Sequence, residues 1–524
     1  MKDDDGIDPL ITLRTPESIS LAKNRLHSVS SVCFLKKSTT TFSSSVDDDD
    51  SSDDSDDEEE PQEYRCSRIQ KIHSTTTARR SVVSQGSIIT ASNDHRRFLA
   101  SCHVSGDAYI WDLKQRRVVQ RFGNEDEHCR GPGLSVQAFN NSNTQLLLLY
   151  QTRDANGTIT IHDVERIMSS SKMSSAPSHT FQTGSRTYCQ AAISSCDDND
   201  NNLVVVPTSD EKHFALWDIR TSSTGKSTTI PFFPAAASSK TTTTTTTKKK
   251  HGMLTSLAMC KSSSTTGRLM VACGMESGSI FFHDIAGTST TATRTASSSI
   301  QLSNDPILAL DMIPSTYSGT NIVVSGMAGE TTDLLDLPQE QRGTVGVVKV
   351  PTAYFSEEQQ QHDDNHNNNV ILSPPKLLSR VGTCHLEGPG KPGVNAVRFQ
   401  RNNSNTTTTN NNKNGRLFAV AGWDRRIRIF DRNNNNKTNK RSKSTTEPRL
   451  LAILKGHADS VRCLDWARDA GASASEEGSS SSLLASGGSD GLIHIWNCSF
   501  LRKKKKLKEE VERLQVGTTK GGGR

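Results

Sequence analysis

Four short apolar segments set close together between Arg449 and Asn497 constrain this chain more than any other feature. They read LLAILKG, SVRCLDWA, LLASGG and LIHIWN, with a Ser/Ala-rich stretch before the third and the turn Ser489-Asp490-Gly491 before the fourth. Val461, Cys463, Leu464 and Trp466 in the second, and Ile493 and Ile495 in the fourth, suit strands buried on at least one face. Units of similar make recur along the chain, which points to a repeat architecture.

Gly456-His457 near the start of this unit and Ile495-Trp496-Asn497 at its end resemble the GH…WD signature of a WD-repeat propeller blade. The implied fold is an all-β propeller of seven blades carrying long disordered low-complexity insertions. In such blades His457, Ser486, Asp490 and Trp496 form a buried polar chain. The carboxylate takes the imidazole proton and the hydroxyl bridges to the indole N–H. Buried donors need partners, so the four residue types are needed together. A surface or catalytic role for His457 is the weaker reading.

Seven units follow one another at about residues 27–122, 129–168, 180–220, 251–286, 305–350, 393–432 and 449–497, forming one propeller domain over residues 1–500. Seven blades of roughly 40–45 residues make a domain of about 300 residues, so the rest of the chain is inserted material. Pro9–Leu13 (PLITL) is expected to serve as the outer strand of the last blade, a closure that leaves no free sheet edge. The fifth unit lacks a Trp-Asp ending and is either a degenerate blade or part of an irregular closure. Polar tracts at about 36–97, 221–250, 286–303, 351–390, 401–414, 432–448 and 468–482 read as disordered insertions, because they cannot bury enough surface to offset ordering entropy.

The first insertion holds the acidic run Asp47–Glu60, whose serines resemble acidic-directed kinase sites. Residues 501–524 form a basic tail in which Leu507, Val511 and Leu514 recur at helical spacing. Lys503–Lys506 there is either a nuclear import signal or a solvated terminus. Several insertions (Lys36–Arg97, Lys261–Gly267, Arg401–Asn414, Arg468–Ser482) follow the first strand of a unit, so in a propeller they leave from one face. The opposite face, with short turns such as Trp423-Asp424-Arg425, is the expected binding face.

Composition narrows the function. The net charge of +5 and the placement of both signs in local runs give little support to nucleic-acid or membrane binding. No stretch approaches the ~20 apolar residues of a membrane helix, and MKDDDGIDPL lacks the apolar core of a signal peptide. The 11 cysteines form no CxxC pair and read as small buried hydrophobes in a reducing compartment. No cofactor is expected. GPGKPG at Gly388–Gly393 lacks the GK[ST] ending of a phosphate loop, GxSxG and HExxH are absent, and His362 and His366 lie in an Asn/Asp/Gln-rich stretch unsuited to a metal. The expectation is a protein without catalytic residues.

AVAGWDRRIRIF at Ala419–Phe430 departs from the generic repeat, because Trp423 occupies the small polar position that Ser489 holds in the last unit. Followed by LLAILKGHADSVRCLDW, and with PLITLR leading into the first unit, it resembles the ASTRA-associated protein 1 family, whose animal counterpart is guanine nucleotide-binding protein beta subunit-like protein 1. That resemblance implies a scaffold acting with the Tel2–Tti1–Tti2-type cochaperone group in maturing phosphatidylinositol 3-kinase-related kinases. It also implies a chain monomeric within a larger complex, in the nucleus and cytoplasm. The family supplies no interface residues. Trp423, Asp424, Arg425, Arg426 and Arg428 are chosen on composition, an aromatic beside arginines being that of an interface hot spot. The alternative is that Trp423 packs over the neighbouring blade.

Trp217-Asp218-Ile219-Arg220 supports a rival reading, a substrate receptor of a cullin-4 ubiquitin ligase docking through Trp217, Asp218 and Arg220 of a WDxR ending. A heterotrimeric G-protein beta subunit is disfavoured, since Met1–Thr15 shows no heptads.

Overall fold

The second strands of successive repeats, such as LLLLYQT, LVVVP and LMVACGM, are apolar at nearly every position rather than at every other one. A strand of that kind must be covered on both faces, and the fold covers both by standing each sheet between two others. The computed structural model describes residues 7–14, 28–35, 98–123, 131–140, 146–169, 176–193, 203–210, 213–219, 228–231, 251–261, 269–286, 293–314, 320–328, 344–351, 379–385, 393–401, 416–432, 448–467 and 482–501. The acidic run at 47–60, most of the tail, His362, His366 and Arg220 lie outside them.

The described strands make seven four-stranded antiparallel sheets. Their first, innermost strands are Val29–Leu35, Gly133–Asn140, Ala192–Ile193, Leu254–Lys261, Ile307–Pro314, Val394–Phe399 and Val461–Trp466. Successive blades pack first strand to first strand at every junction but that of blades two and three, which share a hydrophobic cluster, and blade seven returns to blade one. Among the described residues the core is divided into seven hydrophobic clusters, one in each gap between neighbouring blades.

Ring closure rests on Ile11–Arg14. It pairs antiparallel with Leu492–Asn497, Leu13 opposite Ile493, as the outer strand of blade seven. Leu13 is 2% exposed and packs in the cluster that joins blades seven and one. Upstream, Leu10 donates its N–H to Ile495 O (2.8 Å), and Ile7 bridges to Leu454 on the outer strand of blade six.

Sheet pairing corrects the blade boundaries. Arg449–Lys455, read above as the first strand of the last unit, is the outer strand of blade six, paired with Arg426–Asp431. The sequence repeat is therefore offset from the sheet by one strand. For the same reason three stretches read as disordered hold outer strands: Thr228–Pro231 in blade three, Thr293–Gln301 in blade four and Ser379–His385 in blade five. These strands are polar or Gly-bearing, and one side of each is a sheet edge, so apolar periodicity is weak there. Blade five is a complete four-stranded sheet. The insertions at 36–97, 401–414, 432–448 and 468–482 lie largely outside the described residues.

An antiparallel meander puts the connections before the first strand and after the second strand at one end, and the others at the opposite end. The four insertions noted above all leave from the second end. The first end is not wholly free of long connections, since those spanning residues 232–250 and 329–343 leave from it at blades four and five. Its described turns at blades six and seven are short.

Leu13→Ala removes side-chain volume from the closure seam. It is expected to lower stability by about 2–4 kcal/mol, read as a reduced urea midpoint with an unchanged slope.

Candidate functional site

Six of the seven first strands carry a register shift at the same place, one residue in from their start. A bulge re-aims a side chain. Here it turns Ser30, Leu134, Thr255, Leu308, Asn395 and Arg462 toward the central channel, a cavity of about 700 Å³. At blades six and seven this neck joins two short turns. Trp423 donates from Nε1 to Asn395 Oδ1 (2.6 Å), and Asn395 donates from Nδ2 to the Val461 carbonyl (2.8 Å). The Trp423 ring lies against Gly393, where an added Cβ would stand 2.6 Å from the ring carbons. Arg462 is exposed and donates from Nε to Ser489 Oγ (2.7 Å). Trp423 and Asn395 thus form a hydrogen-bonded pair at the channel mouth, tied to the backbone next to Arg462. Across blade one, the Arg153 guanidinium sits 3.7 Å from the centre of the Tyr188 ring, which is 70% exposed.

The arginines chosen from sequence separate into two kinds. Arg425 is exposed, and Arg426 is half-buried. Arg428 and Asp424 are not available to a partner: their side chains are 2% and 6% exposed and form a bidentate pair, Nη1 to Oδ1 at 3.1 Å and Nη2 to Oδ2 at 2.6 Å. The physical reason is the propeller itself. Strand alternation points Arg428 with Phe430 away from Ile427 and Ile429, but both directions lead into a gap between blades. Arg425 also has φ +68°, and the equivalent turn position is glycine in blades one, two, four and seven, at Gly106 (φ 85°), Gly157 (59°), Gly278 (78°) and Gly491 (75°). Blade six alone among these holds a side chain in a conformation that costs a non-glycine residue about 1 kcal/mol.

The polar chain of blade seven assembles from three connections. Trp496 Nε1 donates to Ser486 Oγ (2.9 Å), leaving that hydroxyl to donate to His457 Nε2 (2.9 Å), and His457 Nδ1 donates to Asp490 Oδ2 (3.1 Å). Burial alone raises the Asp490 carboxyl, but the His457 hydrogen bond and charge and the Leu492 and Ala458 amides outweigh it and hold it below the usual range. Other blades solve the same turn differently. Blade six substitutes the Arg428–Asp424 pair. In blade one Trp111 donates to Ser101 (2.8 Å), Ser101 meets His103 Nε2 (3.2 Å), and Asp107 takes Arg121 (2.6 Å).

His457, Asp490 and His494 come within 4.8 Å of one another, a spacing open to a metal ion. Both His457 nitrogens and both Asp490 oxygens are already engaged in the chain and its amide contacts, and His494 Nδ1 meets Thr12 Oγ1 (2.9 Å). His457 and Asp490 are spent on structure, while His494 Nε2 is buried with no hydrogen bond among the described residues. Of the adaptor motif, Trp217 is half-buried edge-on against Phe181 (4.6 Å between ring centres) and Ile219 is buried. Cys33, Cys102, Cys189, Cys260, Cys273, Cys463 and Cys498 are buried and free, and burial pushes the Cys498 thiol up to about 12.

A family model described as WD domain, G-beta repeat matches residues 380–431 and 448–497. Both matches begin at an outer strand, the same offset that the sheet pairing shows. This is a seven-bladed WD-repeat propeller. No curated protein matches the propeller in sequence. Solved structures similar to it include the Cps50 (Swd1) β-propeller domain of Myceliophteria thermophila, 15% identical with TM-score 0.46 over 76% of this chain and 93% of that one. Another is Chaetomium thermophilum Sqt1 bound to the N-terminus of the ribosomal protein L10, 13% identical with TM-score 0.41 over 77% and 82%.

Asn395 and Arg462 were not legible as site residues, although a signal exists. VNAVRF and VRCLDW each place two apolar residues in a row, a phase slip in the alternation that marks the bulge.

Two buried histidines give the propeller an acid limit. Burial lowers His162 to about 4. Burial, then the His457 charge, lowers His494 to about 4 against smaller opposing effects of Asp490 and the Gly456 backbone. The unfolded chain binds these protons from about pH 6.5 downward and the folded chain only near 4. Stability is therefore full above about 6.5 and falls by roughly 1.4 kcal/mol per pH unit per histidine down to about 4. Melting temperatures across that window, with His494→Gln reducing the slope, check this.

Proposed function

We propose that this propeller is a non-enzymatic scaffold that docks partner proteins on the mouth formed by Trp423, Arg425 and Arg462. One observation carries the reading. Arg425 holds a left-handed backbone conformation where four other blades use glycine, and its side chain is exposed. A strained conformation that a glycine would relieve is retained for what the side chain does. Trp423, pinned by Asn395 on the first strand of the same blade, adds the aromatic that interface hot spots favour. The engagement of His457, Asp490 and Ser486 in packing supports a role without catalysis.

The resemblance of AGWDRRIRIF to the ASTRA-associated family supports a finer reading. The partners would be the Tel2–Tti1–Tti2-type cochaperone group and phosphatidylinositol 3-kinase-related kinases, met by a monomeric propeller within a larger complex of the nucleus and cytoplasm. Ligase-adaptor docking through Trp217, Asp218 and Arg220 is the competing assignment.

Purification of the tagged full chain from its native cells, with partners identified by mass spectrometry, tests both. Recovery of the cochaperone group, lost on Arg425→Glu, is the expected result. Recovery of a cullin-4 adaptor lost on Arg220→Ala, with no effect at Arg425, would replace it. Arg425→Gly gives a second readout: the fold is expected to hold or gain up to about 1 kcal/mol while partner recovery falls.

A further inference from the structure

Building on the mouth as the docking surface, we infer that it takes an acidic, extended segment of a partner protein, with a carboxylate on Arg462 and a neighbouring apolar side chain against Trp423. The charge at the mouth is the first reason. Arg121, Arg401, Arg416 and Arg428 each pair with an aspartate of the fold. Arg462 and Arg425 have no carboxylate within ion-pair distance among the described residues. Arg462 is held only through Nε, by the Ser489 hydroxyl, which in turn meets Ser460 Oγ (2.9 Å). An arginine anchored at Nε keeps its two terminal nitrogens aligned as a fork, the geometry that a carboxylate accepts. Two carboxylates flank this turn in sequence. Asp490 takes His457 and two amides, and Asp459 accepts the Ser460 N–H (2.6 Å).

Preorganisation is the second reason. One asparagine fixes Trp423 to the backbone that carries Arg462, since Asn395 accepts from the indole and donates to the Val461 carbonyl. The indole cannot swing away without breaking that bond, and Gly393 behind it leaves no room for retreat. A docking surface fixed before binding loses little entropy on contact.

Shape supplies the third. Leu134 and Leu308 give the neck apolar positions, while Ser30, Gln190 and Thr255 place hydroxyl and amide groups around it. Ser30 Oγ is buried with no hydrogen bond among the described residues. An extended chain presents alternating side chains and free backbone groups, so one apolar side chain in the neck brings its amides to these polar groups. A nucleic acid is the poorer fit. Its phosphates need several cations tracking a backbone, and the groups that line the neck beside Arg462, among them Ser30, Gln190 and Thr255, are neutral.

The test uses the purified full-length chain and two labelled short peptides of equal length, one of Asp, Glu, Leu and Pro and one with Asn and Gln replacing the acids. Fluorescence polarisation is expected to show the acidic peptide binding at least ~10-fold tighter. Raising the salt from about 0.05 M to 0.5 M should weaken it. Arg462→Gln is expected to remove ~10-fold or more of the affinity and Arg462→Lys to restore part of it. An unchanged melting temperature shows that the variants are folded. Equal affinity for the two peptides, indifference of the acidic peptide to Arg462→Gln, or tighter binding of a single-stranded oligonucleotide would each overturn the inference. Partner recovery from cells separates the two levels. Loss with Trp423→Ala but not with Arg462→Gln leaves the docking face standing and removes the acidic partner. Retention with both variants removes the face as well.

Discussion

Closure of the ring is the interaction on which the rest of this structure depends. No blade here has a face intended for water, because each sheet is apolar on both sides and the core exists only as seven shared gaps. A sheet of this kind is stable next to two neighbours and at a loss beside one. The pairing of Ile11–Arg14 with Leu492–Asn497 converts a stack with two raw ends into a ring with none. The blades can then vary widely in sequence, since what each must supply is apolar surface and four strands.

The polar tie within each blade shows how far that variation goes. The turn after the second strand leaves a carboxylate or hydroxyl near buried amides. Blade seven meets it with His457, blade six with Arg428 and blade one with Arg121. The electrostatic requirement is shared and the residue that satisfies it is not, which is why a repeat pattern matches only two stretches of a chain that folds as seven blades.

Much of the fold could be read from residues alone, and the limits have physical causes. The blade count and the polar chain of His457, Ser486, Asp490 and Trp496 were legible because apolar runs and a buried donor set leave strong marks. The outer strands were not, since Thr228–Pro231, Thr293–Gln301 and Ser379–His385 pair on one edge only and carry little apolar periodicity. Arg428 was misjudged by a rule that holds for most sheets. Polar residues on one side of a strand usually face water, but between propeller blades they face another sheet, and Asp424 is there to neutralise the charge. Trp423 packs over Gly393 of its own blade and lines the cavity, where it donates to Asn395.

The closing strand also sets the order of events when the chain is made. Thr12 and His494, which meet across the seam, are 482 residues apart. At about 5–20 residues per second, roughly half a minute or more separates their appearance from a ribosome. Through that interval the apolar faces of blade one lie open and the strand at Ile11–Arg14 has no partner to pair with. Contacts of such long range form slowly and leave unpaired edges exposed to other chains. Among the described strands, the one made earliest is the last to find its partner.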